Sequence, residues 1–479
     1  MYTLCYSVKL IQVIDSSLGS HLKHSSATMT GRRKILIVAY PYQGNINPSL
    51  RFANRLIKMG VDVTFCTSLS AVQRIDKETI PRGLTIAPFI ESRDNSKDPA
   101  KNMLEIVSDF NINGASSVAE LISSAAAASQ PFDHLVYANS IPWAARIANA
   151  HGIKSSVLWI QSATILNIYY HYFSEYYGLI SSNKNNQFPI NLPGLPPLTD
   201  ADLPSHLLPS NQKFDEYILR SLKDLFDVFQ ITSRILVNTF NELEVESIKG
   251  IEKLDLLPIG PLIPSEFLDG KDSPGKSLGC DFFNKPEDDY MKWLNTKPES
   301  SVVYVSFGSL ASLSTDQLEE FAVGLLQSSR PFLWVIRDSD QAGRLSTIEE
   351  LKKQGMIVAW CSQVVVLSHK AIGCFLMHGG WNSTIETLAA GVPTVVFPQW
   401  SDQWTNAKMM EDVWRTGVRV SRREGDGMVE GKEIERCVKM VMEDEDIKRN
   451  AEKWRELARE ALNNGGSSTK NLQAFLDDM

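Results

Sequence analysis

Apolar residues in this chain fall in short β-branched runs, and between most of the runs apolar positions recur every three or four residues. From Lys34 onward KILIVAY, VDVTFCT, LTIAPF, HLVYAN and SSVLWIQ read as strands with helical segments between them. A second series starts at SVVYVSFGSL (301–310) and continues through FLWVIR, GMIVAW, IGCFLMH and TVVFP. Strand–helix alternation of this kind predicts wound α/β layers, here as two Rossmann-like halves. Residues 260–289, GPLIPSEFLDGKDSPGKSLGCDFFNKPEDD, are rich in Gly, Pro, Ser and charge without periodicity, and mark the linker between them. Residues 34–56, KILIVAYPYQGNINPSLRFANRL, predict a buried strand, a turn on Pro41–Gly44 and an amphipathic helix after Pro48, with Asn45 at the mouth of the turn.

Composition narrows the partners. The 479 residues are 43 % hydrophobic and 22 % charged, the make-up of a soluble globular protein with more than one core. A net charge of −8 without a basic run argues against a nucleic-acid surface. The six cysteines show no CxxC pair or metal-ligand spacing, so no metal is expected, and they read as reduced packing residues of a cytoplasmic protein. A membrane span needs about 20 consecutive apolar residues, and no such run occurs. The first 28 residues fit a signal peptide poorly and read as a disordered or extra extension ahead of Met29.

Ligands of open α/β sheets bind beyond the carboxyl ends of the strands, which makes the strand-to-helix turns the places to look for chemistry. In FLMHGGWNSTIETLAAG (375–391) a strand ends at His378, Gly379 and Gly380 allow a tight turn, and Asn382, Ser383 and Thr384 open a helix carrying Glu386. Free N–H groups, hydroxyls and the positive dipole end suit a diphosphate; a capped structural helix gives the same pattern. GxGxxG does not occur, and the one GxxxxGK[ST] match, Gly270–Ser277, lies inside the aperiodic 260–289 stretch with no apolar strand run before it. Trp360 and Gln363 follow one strand and Asp402 and Gln403 another, offering an aromatic face for a base, an amide for its edge and polar groups for sugar hydroxyls.

Together, the 44 residues from Trp360 to Gln403 resemble the plant secondary product glycosyltransferase box of the UDP-dependent family 1 enzymes, without a gap. Similarity extends to YPYQGNINPSLRFANRL, NTFNELE, YMKWLNTKPESSVVYVSFGSL and GGSSTKNLQAFL, nearly the whole chain from Lys34. The resemblance implies a GT-B fold, two Rossmann-like domains facing across a cleft. Residues 1–30 are then an extension, 31–255 the acceptor-binding domain, 256–289 the linker, 290–460 the UDP-sugar domain, and 461–479 a C-terminal helix packing back on the first domain. It implies that Trp360 stacks on uracil, that the Cys361 backbone and Gln363 hold uracil and ribose, and that Glu386 takes the ribose hydroxyls. His378, Gly380, Asn382, Ser383 and Ser309 would hold the diphosphate, and Trp381, Asp402 and Gln403 the sugar. A closing glutamine such as Gln403 accompanies UDP-glucose in the family. The implied partners are a UDP-sugar and a small acceptor, and a monomer is expected.

At one position the chain departs from the family. Asn45 stands where these enzymes carry the histidine that deprotonates the acceptor for inverting attack, and the aspartate partner of that histidine would fall at about Ala138, beside Asn139. An amide orients but does not titrate, whereas a general base contributes about 10²–10⁴-fold. Three expectations follow: transfer to acceptors that arrive ionised, a borrowed base, for which His171 in NIYYHYF is the candidate, or a UDP-sugar-binding pseudoenzyme.

Overall fold

A computed structural model describes residues 32–75, 80–90, 103–174, 189–208, 213–232, 234–264, 267, 288–308, 313–337, 342–343 and 345–479. The N-terminal extension, most of the linker and Ser309 lie outside them. Arg33–Met479 group as one unit.

The first half is a parallel sheet of seven strands: β1 (Lys34–Val38), β2 (Asp62–Ser68), β3 (Leu84–Phe89), β4 (His134–Ala138), β5 (Lys154–Trp159), β6 (Arg234–Val237) and β7 (Leu256–Pro258). Their order is β3-β2-β1-β4-β5-β6-β7. In β1 the residues Ile35–Val38 are fully buried, with Ile35 in register with Val63 on one side and His134 on the other. Burial of both faces explains the unbroken apolar run. The second sheet repeats the plan with β8 (Val302–Ser306), β9 (Phe332–Val335), β10 (Met356–Val358), β11 (Ile372–Met377), β12 (Thr394–Val396) and β13 (Gly417–Arg419), in the order β10-β9-β8-β11-β12-β13. The strands β6, β7 and β13 add to those expected from the apolar runs.

Helix α1 (Gln43–Lys58) buries Ile46, Leu50, Phe52, Ala53 and Leu56 against Ile35, Ile37, Val63 and Phe65. It starts before Pro48, not after it, so Gly44 and Asn45 belong to its first turn rather than to a loop. Proline inside a helix removes the N–H that would bond the carbonyl four residues back. Here that carbonyl is Gly44 O, and it accepts instead from Asn382 Nδ2 of the second half at 3.0 Å.

The linker also begins later than expected. Leu256–Pro258 form β7, and Ile259 and Leu262 are buried in the core of the first half. Near the C-terminus α7 (Ser467–Asp477), the last of seven helices labelled here, puts Leu472, Phe475 and Leu476 into that same core, where the Phe475 ring meets His134 edge-on at 5.3 Å. Cys66, Cys361, Cys374 and Cys437 are buried thiols in no disulfide. Among the described residues no helix is long and apolar enough to cross a membrane.

In each sheet the strand order reverses beside the first strand, between β1 and β4 and between β8 and β11. Crevices open at such switch points. The segments after β1 and β4 carry Asn45 and Ser140; those after β8 and β11 carry Gly308 and His378.

Candidate active site

Beyond β11 the chain turns through Gly379, at φ +83°, into α5 (Trp381–Ala390), with Gly380 as its cap. The first bond inside this helix is donated by Thr384 N–H to Gly380 O at 3.0 Å. The N–H groups of Trp381, Asn382 and Ser383 therefore have no acceptor within the helix, and the positive dipole end adds to them. His378 stands at this mouth. Burial holds its pKa down at about 4, so the imidazole is neutral near pH 7 and can meet an anion only as a hydrogen-bond donor, not as a cation. A Cβ on Gly308, which has φ +76°, would lie 2.8 Å from His378 Cε1, and one on Gly380 2.6 Å from Nε2. Only residues without side chains leave room for this ring.

One turn further along α5, Glu386 meets Gln363, which opens the short helix Gln363–Leu367 after β10. Gln363 Nε2 donates to Glu386 Oε2 at 2.7 Å and to Ser383 Oγ at 3.0 Å, and Arg51 of α1 pairs with Glu386 Oε1 at 2.8 Å. Trp360 is half-buried in the loop leading to Gln363. The Cys361 side chain turns into the core, where its thiol meets Tyr304 Oη at 3.5 Å.

At the other edge of the site, α6 (Gln403–Lys408) follows Asp402. Burial raises the Asp402 pKa, opposed by hydrogen bonds from Asn406 and Gln161. Asn406 Nδ2 reaches both Asp402 Oδ2 at 3.0 Å and Gly379 O at 2.9 Å, which ties the start of α6 to the glycine turn. Gln403 Oε1 accepts from the N–H groups of Gln399 at 2.8 Å and Trp400 at 3.3 Å, fixing which way the amide faces. The first half closes on this edge. Ser205 Oγ accepts from Ser401 N–H at 2.7 Å, Asp202 O accepts from Thr405 Oγ1 at 2.7 Å, and the buried Asp202 carboxylate pairs with Arg419 at 2.8 Å.

Trp381 departs from expectation. Its ring is 3 % exposed, lies 6.0 Å from that of Trp414, and donates from Nε1 to Asn238 O at 2.8 Å. The indole thus packs at the junction of the halves, because a side chain at the first position of α5 points back toward the core while its N–H faces the helix mouth.

In the first turn of α1 Asn45 is half-buried, and Ser140 Oγ–H donates to its Oδ1 at 3.2 Å. This leaves Nδ2 turned the other way. Ala138, the last residue of β4, is 1 % exposed, so the residue that meets Asn45 is Ser140, two positions on. Tyr40, Phe89 and Phe110 are buried in the core of the first half, and with the half-buried Tyr42 and Trp143, the latter at the start of α3 (Trp143–Ala150), they form an aromatic cluster whose contacting ring pairs have centroids 4.5–6.4 Å apart. One polar strip crosses it: Asn111, on α2 (Met103–Ala127), accepts from Trp143 Nε1 at 3.0 Å and donates to Tyr217 Oη at 3.2 Å. His171 is buried near the end of α4 (Ala163–Tyr172), its Nε2 bonding Gly250 O at 3.1 Å, which commits that nitrogen as a donor. The start of α4 is held by Glu244 of NTFNELE, whose buried carboxylate accepts from the N–H groups of Ala163 at 2.9 Å and Thr164 at 2.8 Å.

The family described as UDP-glucoronosyl and UDP-glucosyl transferase matches residues 195–461. The chain belongs to this family. It is 49 % identical to UDP-glycosyltransferase 75C1 of Solanum lycopersicum over 92 % of its own length and 97 % of that protein. It is 47 % identical to the chloroplastic crocetin glucosyltransferase of Gardenia jasminoides, over 94 % and 98 %. Among solved structures, Os79 of O. sativa in complex with UDP superposes with a TM-score of 0.80 at 31 % identity, covering 93 % of this chain and 99 % of that one. The two sheets are those of a GT-B glycosyltransferase.

In this UDP-glycosyltransferase the box residues His378, Gly380, Asn382, Ser383, Glu386 and Gln363 converge around the mouth of α5, with Asp402 and Gln403 on its flank. Ser309 lies outside the described residues, next to Gly308. Arg51, Ser140, Asn406 and Asn111 were not anticipated. For Asn406 a signal existed, one helical turn from Asp402; the other three join positions far apart in the chain.

Proposed function

We propose that this UDP-glycosyltransferase transfers glucose from UDP-glucose to a small apolar acceptor that arrives ionised, a carboxylic acid or an acidic phenol, with inversion to a β-glucose ester or β-glucoside. The observation that carries the proposal is the first turn of α1. Asn45, bonded to Ser140, occupies the position at which the family resemblance places a base, and nothing in that pair titrates near neutrality. A carboxylic acid, with a pKa of about 4.3, has already lost its proton at pH 7, and an acidified phenol partly so. The Asn45 amide NH₂ then donates to the anion and aims it at the anomeric carbon. The half-buried rings of Tyr42 and Trp143, backed by the aromatic core, suit a flat, apolar acceptor body.

On the donor side Trp360 stacks on the base, Gln363 and Glu386 hold the nucleoside, and Asp402 and Gln403 hold the glucosyl hydroxyls. Charge that develops on the departing diphosphate falls to neutral His378 and the N–H groups of Trp381, Asn382 and Ser383, preorganised donors of the kind that stabilise a leaving anion. No metal is required in this scheme. The glucosyltransferase name of the Gardenia relative supports glucose as the sugar.

The test is incubation with UDP-glucose and paired acceptors differing mainly in pKa, with products read by mass spectrometry. Rates that follow the ionised fraction of the acceptor support the proposal. Equal rates on alcohols and carboxylic acids overturn it.

A further inference from the structure

Every donor-site residue expected from the sequence lies in the second half, yet the carboxylate of Glu386 is gripped from the first. Arg51 lies in the third turn of α1 with its side chain 8 % exposed, and the Glu386 side chain is 6 % exposed. Arg51 Nη2 stands 2.8 Å from Glu386 Oε1, while Nη1 donates to Leu262 O at 3.1 Å, where the chain leaves the first half. Gln363 takes Oε2 at 2.7 Å. A charge buried this far from water needs partners, and with one partner on each oxygen the carboxylate has a single orientation before any nucleotide arrives. A carboxylate offers about four acceptor positions. Two are used here, and two remain for the vicinal hydroxyls of a ribose.

We propose that Arg51 is a positioning residue for the nucleotide: acting through Glu386, it sets selectivity for the ribose diol and makes nucleotide affinity depend on how the first half is seated. The inference rests on the reading of Glu386 as the ribose ligand. Arg51 does not touch the nucleotide in this scheme, and a role limited to holding the halves together would weaken every nucleotide alike. The measurement that separates the two roles is the ratio of dissociation constants for 2′-deoxy-UDP and UDP, taken by calorimetry on the full chain. In the unaltered protein UDP binds about tenfold tighter, the scale of one lost hydrogen bond to a charged group. Glu386→Gln narrows that ratio several-fold. Arg51→Met narrows it to a similar degree, and Arg51→Met with Glu386→Gln narrows it no further than either alone. Should the methionine variant fail to fold, Arg51→Gln, which keeps a donor on a shorter arm, gives an intermediate ratio.

A narrowed ratio in Glu386→Gln with an unchanged ratio in the folded Arg51 variants, their affinities for UDP and 2′-deoxy-UDP falling in parallel, overturns the role of Arg51 alone. An unchanged ratio in Glu386→Gln overturns the ribose reading of Glu386 and the proposal with it.

Discussion

Replacing Asn45 by histidine tests the proposed chemistry most directly. An imidazole in the first turn of α1 has Ser140 as its neighbour, since that hydroxyl already lies 3.2 Å from Asn45 Oδ1. Full general-base catalysis contributes about 10²–10⁴-fold, or about 3–5 kcal/mol of barrier. A hydroxyl partner fixes the tautomer but does not stabilise the imidazolium, so Asn45→His alone is expected to reach about tenfold to a hundredfold on neutral alcohols and ordinary phenols. The double change Asn45→His with Ser140→Asp supplies the missing charge and is expected to approach the full range. Placing the carboxylate at Ala138 is the weaker design, because that side chain is buried at the end of β4. The assay is initial UDP release at saturating UDP-glucose, with one alcohol, one phenol and one carboxylic acid as acceptors. Gains on the alcohol should fade below about pH 6.5, where imidazole is protonated. Turnover of the carboxylic acid should stay within about threefold or fall, as the amide donor is lost. Equal gains on all three acceptors, or none, would refute the reasoning.

Other consequences are open to direct measurement. Trp360→Ala should weaken UDP by about 1–3 kcal/mol, by analogy with base stacking on aromatic side chains; calorimetry giving unchanged affinity would remove Trp360 from the nucleotide site. Gly308→Ala adds a Cβ 2.8 Å from His378 Cε1 at a backbone φ of +76°, and should cost about tenfold or more in UDP affinity while lowering the melting temperature by only a few degrees. Burial lowers the pKa of His134, His206 and His378 to about 4 from 6.5, the Lys154 charge adding to the effect at His134. The folded state binds fewer protons at these sites than the unfolded chain, so their stability contribution is complete above pH 6.5 and is lost as the pH falls toward 4. Melting temperatures taken between pH 7.5 and 4.5 should fall across that window, and less steeply in His206→Gln.

The sequence made the scaffold legible where burial was total. Runs such as Ile35–Val38 and Val302–Val305 announce central parallel strands because both faces are covered. The three-residue strands β7 and β13 did not announce themselves, since Leu256–Pro258 and Gly417–Arg419 are too short to show a period and carry Pro or Gly. Pro48 misplaced the start of α1. The usual reading puts proline in a first turn, and nothing local reveals that Asn382 supplies the donor Gly44 O lacks. The groups proposed for the donor could be named in advance because they sit on a few consecutive turns of one sheet. Trp381 was misread because residue type gives no direction at a helix start, and Arg51 was invisible because its partner is brought to it only by docking of the two sheets.

The return of α7 into the core of the first half bears on how members of this family exchange parts. A single junction in the linker does not separate the two sheets cleanly, because Leu472, Phe475 and Leu476 complete the apolar interior around β1, and Arg234 of β6 pairs with Asp478 just beyond α7. A hybrid that takes its N-terminal portion from one enzyme and everything after the linker from another inherits a foreign plug for that interior. Recombination that preserves solubility therefore needs two cuts, one in the linker and one ahead of Ser467, so that the last helix travels with the sheet it seals.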